Sequence, residues 1–141
     1  MNIIEIILNA LKLILSADSS LYEIIFLSLK VSFIALFISS LFAIIVGYTL
    51  ALKNFYLKNF LLILFNSLMG IPPVVVGLIV YFFFANDGPL GVFQLLYTPT
   101  AMVIAQILII FPIVASLSHE IFLQNWQQYK DHIRSLNIPF F

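Results

Sequence analysis

The chain has 141 residues, the length of one ordinary domain, but 63% of them are hydrophobic and only 9% are charged. That composition places it in a bilayer and excludes a soluble globular fold. Six basic and six acidic residues leave no basic patch for nucleic acid, and the absence of cysteine removes disulfides, thiolate nucleophiles and thiolate metal sites.

The first 17 residues are apolar except for a polar series, Asn2, Glu5, Asn9, Lys12 and Ser16. Spacings of three and four put these on one stripe of a helix. The pattern predicts an amphipathic interfacial helix over 1–17, with a short extra membrane span as the alternative. A signal peptide fits poorly, because no Lys or Arg precedes the apolar run and Lys12 lies inside it. Ser16 to Ser20 reads as a loop able to cap the next helix.

Three transmembrane helices are predicted, over about 24–52, 60–84 and 98–118. In the first, Val31 to Leu52 carries no charge, and at 1.5 Å per residue it is long enough to cross the hydrocarbon. Ser28, Ser32, Ala35, Ser39, Ala43, Gly47 and Ala51 recur at spacings of three and four, a stripe that lets a second helix approach closely. Lys30 can snorkel to the headgroups. A short polar turn with Lys53 and Lys58 follows.

The second span is organised around Met69-Gly70-Ile71-Pro72-Pro73-Val74, inside an uncharged run from Asn59 to Asn86. Each proline removes an N–H donor and its ring clashes one turn back, so the helix must bend or break. In hydrocarbon the freed carbonyls cannot turn to water, and irregular backbone is tolerated only inside protein or against a wet cavity. Two readings remain open here: a backbone lining a pathway, or a kink that only improves packing. The pathway candidates are Met69, Gly70, Pro72, Pro73 and Val74. Asn86-Asp87-Gly88-Pro89 is a strong turn signal, and Leu90 to Tyr97, too short to cross, reads as re-entrant or interfacial. The third span opens at Thr98-Pro99-Thr100, where Pro suits the first helical turn. It contains Gln106, which either hydrogen-bonds a neighbouring helix or contacts solute.

No catalytic constellation is present. His119-Glu120 resembles the start of a zinc-protease helix, but Leu123 stands where the second His belongs. His132 lies thirteen residues on, without a carboxylate cluster, so no metal site is expected. No ionisable group lies within the second or third span to relay protons. No P-loop is present, so any uphill transport needs a separate energy-supplying subunit. Counting positive charges at the span ends puts Lys53, Lys58, Lys130 and Arg134 in the cytoplasm and Asp87 and the N-terminus outside.

The run from Asn66 through Met69-Gly70-Ile71-Pro72-Pro73-Val74-Val75-Val76-Gly77 to Tyr81 resembles the permease subunit of tungstate-type ABC importers. So does Gly88-Pro89-Leu90-Gly91 with Leu96-Tyr97-Thr98-Pro99-Thr100 to Gln106. The resemblance extends over essentially the whole chain and is more distant to molybdate and sulfate permeases. It implies the N-terminal part of a type I ABC importer permease fold over 21–141, in a bacterial inner or plasma membrane. It also implies three partners: a second permease subunit forming a homodimer, ABC ATPase subunits, and an extracytoplasmic oxyanion-binding protein. Membrane lipid surrounds the spans, and no cofactor is implied.

The family's ATPase-coupling loop, with the pattern Glu-Ala-Ala, three residues, Gly, would fall on Asp131-His132-Ile133 with Asn137 at the glycine place. Only the acidic residue is kept in kind, and Asn is the usual substitute for Gly in a left-handed conformation. The coupling candidates are Tyr129, Lys130, Asp131, His132, Arg134 and Asn137. Trp126 and Tyr129 suit either a docking interface or a headgroup-level aromatic belt. Against the family's two further spans, the resemblance implies a chain truncated in the coupling loop. The competing function is a membrane interaction protein that transports nothing.

Overall fold

A computed structural model describes residues 3–8 and 19–135, with side chains through Lys130. The elements are α1 (Ser19–Leu52), α2 (Lys58–Met69), α3 (Pro73–Phe84), a 3-10 turn (Gly91–Phe93) and α4 (Pro99–Ser135). Among the described residues there is no strand.

α1 and α4 run parallel to one another, and their contact face is built from small side chains. Val31, Ala35, Ser39, Ala43, Gly47, Leu50 and Ala51 of α1 are buried, as are Ala101 and Ala115 of α4. Ser39 Oγ lies 3.5 Å from the Ile107 carbonyl oxygen, at the long limit of a hydrogen bond. Further along, a Cβ added to Gly47 would sit 2.6 Å from Ser118 Cβ, 2.8 Å from the Ala115 oxygen and 2.9 Å from the His119 nitrogen. The crossing is therefore backbone against backbone. Tyr48 then meets Phe122 edge-on at 5.4 Å. Large apolar side chains point the other way: Phe33 and Phe37 are 68% and 71% exposed. That is the distribution expected in lipid, where tails are as apolar as Phe and association comes from close packing of small residues.

The small-residue stripe predicted for α1 is corrected at one end. Ser28 and Ser32 are exposed, and Ser28 Oγ donates to the Ile24 carbonyl at 2.9 Å. α4 begins only at Pro99, and Lys30 and Val31 already border Pro99 and Thr100. Ser28 therefore lies beyond the end of its partner helix.

α2 and α3 lie against the other side of α4. Phe65 meets Phe111 edge-on at 5.8 Å. α3 is closed by the turn after it, where Gly88 N–H donates to the Ala85 carbonyl at 2.8 Å and Leu90 N–H to the Phe83 carbonyl at 2.9 Å. A Cβ on Gly88 would come within 2.2 Å of the Phe82 oxygen, and one on Gly91 within 2.4 Å of the Ala85 oxygen. These two glycines let the chain fold back over the carbonyls that the helix end leaves open. Gln94 and Tyr97 take left-handed φ values of 49° and 63° and carry the chain round to α4. There Thr98 caps the helix, its Oγ1 accepting from Ala101 N–H at 3.4 Å, with Pro99 in the first turn as predicted.

The third helix does not stop where its apolar part does. The span predicted over 98–118 continues unbroken to Ser135, through the buried Pro112. Nothing between Ser116 and Ser135 can end it: there is no Gly or Pro, and Glu, Gln, Leu and Lys are good helix formers. Of the interfacial helix predicted over 1–17, residues 3–8 are helical and exposed. Asn2, Asn9, Lys12 and Ser16 lie outside the described residues.

Candidate functional site

The uncharged segment breaks where its sequence says it must. α2 and α3 meet at a bend of 103°, with Gly70, Ile71 and Pro72 between them. Two factors produce it. Neither proline can donate to the carbonyl one turn back, and Pro72 is extended (φ −58°, ψ 136°), the conformation of a residue that precedes a proline. The last turn of α2 tightens to compensate. Gly70 N–H donates to the Ser67 carbonyl at 3.1 Å and Ile71 N–H to the Leu68 carbonyl at 3.2 Å. Leu68 thereby regains the bond that Pro72 cannot make. The Met69 carbonyl, which residue 73 would have served, gains no such replacement among the described residues.

Gly70 itself stays in the right-handed helical region (φ −81°, ψ −7°), and a Cβ there would meet only the Ser67 oxygen at 3.5 Å. The break is the work of the prolines. On its far side α3 starts with Pro73, and Val75 N–H donates to the Pro72 carbonyl at 2.9 Å. With Pro72 and Pro73 lacking an N–H, Val74 N–H is the one first-turn amide left without a partner within the helix.

Met69, Gly70, Pro72, Pro73 and Val74 are all exposed, Val74 by 82%. Met69 and Pro73 share a small cavity of about 120 Å³ with Leu108, Ile109 and Ile113 of α4. Gln106 does not line it. This residue is half-buried, and its Oε1 is buried without a hydrogen-bond partner.

At the other end, Tyr129 is half exposed and Lys130 half-buried on the last turns of α4. Asp131, His132 and Arg134 lie on the same helix, their side chains outside the described set, and Asn137 lies outside the described residues. The segment expected to hold a coupling loop is thus helical as far as Ser135.

One polar constellation escaped the sequence reading. Asn66 of α2 and Ser116, His119 and Glu120 of α4 line a single cleft, with Met69 on its edge. The charges acting on His119 are those of Lys58 and Glu120. Ser and Asn in apolar helices carry no signal of their own, and their meeting depends on how α2 crosses α4.

Over 112 residues the chain is 44% identical to the tungstate uptake system permease protein TupB of Peptoclostridium acidaminophilum. The chain is a relative of tungstate and anion permeases. The match takes in 79% of this chain and 49% of that protein. TupB of Campylobacter jejuni is 35% identical over 77% of this chain and 46% of its own. A probable anion ABC transporter permease of Haloferax volcanii is 36% identical over 70% and 42%. The chain therefore spans about half the length of the curated relatives it matches. No family model matches the chain, and no solved structure does.

Proposed function

We propose that this chain forms part of the membrane permease of an ABC importer that takes up tungstate or a related oxyanion. The observation that carries the proposal is the bend at Gly70–Pro72. It opens the start of α3 within an uncharged membrane segment and leaves Val74 exposed. This helix start presents the Val74 N–H and the positive end of the helix dipole, an environment that favours an anion where no charged side chain is available. The names of the relatives supply the solute class. Met69, Gly70, Pro72, Pro73 and Val74 would border the pathway, and Gln106 would contribute its amide from α4. ATP hydrolysis would belong to a partner subunit. A second permease subunit and an extracytoplasmic binding protein would complete the assembly.

In this proposal α2 and α3 cross the membrane together as one bent span, the second of three, in a multi-pass protein of the bacterial inner or plasma membrane. Two 12-residue halves of about 18 Å each, meeting at 103°, advance about 22 Å. Their neighbours on α4 support such an advance. Lys58 acts on His119, Pro73 and Val76 border Ile109 and Ile113, and Val80 and Phe84 border Ile104. The 90–97 connection takes up the remaining distance to Thr98. Lys53 and Lys58 would then face the cytoplasm with the end of α4, and Asp87 the outside. A reporter fused after Lys58 is expected to read cytoplasmic and one after Asp87 external. A cytoplasmic reading at Asp87 would make the pair a re-entrant hairpin and remove the bent span.

The cytoplasmic end of α4 is proposed to dock the ATPase, with Tyr129 as the apolar anchor and Lys130, Asp131, His132 and Arg134 as the polar rim, followed by Asn137. The chain co-expressed with its ATPase is expected to retain it through purification. The same chain with residues 129–137 replaced by a Gly-Ser linker is expected to insert normally and lose it. Retention by the linker variant would remove the docking role. Loss from both chains would favour a membrane interaction protein.

A further inference from the structure

Pro99 to Ser118 of α4 is uncharged and, at 1.5 Å per residue, about 30 Å long, the thickness of the hydrocarbon. Pro99 therefore marks one membrane boundary. α3 ends below it. Phe83 and Phe84 share a cavity with Ile104, which lies about 7 Å further along α4 than Pro99. The segment joining the two helices is tied down at that depth. Leu90 lines the same cavity, and its N–H donates to the Phe83 carbonyl at 2.9 Å. Phe93 N–H then donates to the Leu90 carbonyl at 3.1 Å, and Gln94 N–H to the Gly91 carbonyl at 3.0 Å. Gln94 and Tyr97 are held at positive φ, a conformation that residues with a Cβ keep only where their surroundings impose it. What this fixed turn presents is apolar: Val92 is 91% exposed, Phe93 66% and Tyr97 83%.

We infer that residues 91–97 are a membrane anchor immersed in the lipid headgroup layer, with Val92 and Phe93 reaching the upper acyl chains and Tyr97 at headgroup level. An exposed apolar patch of this kind marks a surface that is covered, and the depth set by the Leu90–Phe83 bond makes the cover lipid. No charged side chain lies between Asp87 and His119, so the polar rim that surrounds a protein-docking site is missing. Phe82 and Phe83, exposed on the adjoining last turn of α3, already face lipid. The backbone sets the lower limit of immersion. The Val92, Leu95 and Leu96 amides have no acceptor among the described residues, and open amides are not tolerated in hydrocarbon. Water and phosphate oxygens of the headgroup layer satisfy them. No convergent binding site is involved, because the layer surrounds the turn on every open side. The anchor fixes the depth of the end of α3 and the start of α4. Only placement of the spans in a bilayer is required, so failure of the transport proposal leaves this inference standing.

The chain has no cysteine, so Asp87→Cys, Val92→Cys and Phe93→Cys can be made singly in the whole chain and placed in phosphatidylcholine discs. Val92 and Phe93 are exposed, and neither substitution removes internal packing. Nitroxide labels at 92 and 93 are expected about 5–10 Å below the phosphates, relaxed by oxygen in preference to a water-soluble nickel chelate. The label at 87 is expected to show the opposite preference. Without the label, cysteines at 92 and 93 should react with a charged thiol reagent about tenfold more slowly than the one at 87, because a thiolate forms reluctantly in apolar surroundings. Nickel-dominated relaxation at both 92 and 93, or thiol rates equal to that at 87, would put the turn in water and overturn the inference. Labels at both positions shielded from oxygen and nickel alike would also overturn it, since a protein surface would then cover the turn.

Discussion

Replacing Gly47 by leucine is expected to separate α1 from α4. A Cβ at this position would overlap Ser118 Cβ at 2.6 Å and two backbone atoms of α4 at 2.8 and 2.9 Å. Neither backbone atom can rotate away as a side chain could. Alanine alone should destabilise the pair by about 1–3 kcal/mol, the usual cost of overpacking a tight contact. Leucine should abolish the crossing, because the helices would have to part and give up the close packing that holds them together in lipid. Unfolding in mixed micelles would measure the alanine effect, and amide exchange across residues 107–119 would report the separation. A G47L chain with wild-type unfolding and exchange would mean that the two helices are held elsewhere.

Changing Pro72 and Pro73 together to alanine is expected to straighten α2 and α3 into one helix. Each proline in a helix interior costs about 3 kcal/mol relative to alanine, and the substitutions restore donors for the Leu68 and Met69 carbonyls. Spin labels at positions 60 and 82 should move apart from about 20 Å in the bent pair to about 33 Å in a continuous helix, from the rise of 1.5 Å per residue. If the distance stays near the smaller value, packing of both halves against α4 imposes the bend and the prolines only accommodate it. In a full-length relative, the same double substitution should leave membrane insertion intact and abolish uptake, because the open start of α3 disappears. Undiminished uptake in a straightened variant would remove the bend from the transport path.

Gly47 and the proline pair also mark the two ways in which the chain is legible. The bend could be read from Pro72 and Pro73 because a missing donor is a property of the residue itself, whatever surrounds it. The bilayer, the helical architecture, Pro99 in the first turn of α4, and most of the α1 contact stripe were legible for the same reason: composition, periodicity and turn chemistry are local. The relation to tungstate-type permeases was legible in the contiguous run around the prolines. The length of α4 was misjudged because hydropathy marks where apolar character ends, and a helix ends only where a breaker or a cap stops it.

Tertiary structure alone decided which neighbours meet. Of the seven small residues in the α1 stripe, Ser28 falls outside the contact because it lies beyond the start of α4, and Ser32 because the buried face passes through its neighbour Val31. Gly70, conspicuous beside the prolines, keeps ordinary helical angles, whereas Gly47, one small residue among several, leaves no room for a Cβ against α4. Asn66 and Ser116 are fifty residues apart and share a cleft only because α2 lies across α4 at that height. Periodicity fixes which way a side chain faces along its own helix. The angle and register at which two helices pack fix what it faces, and these depend on atoms from both.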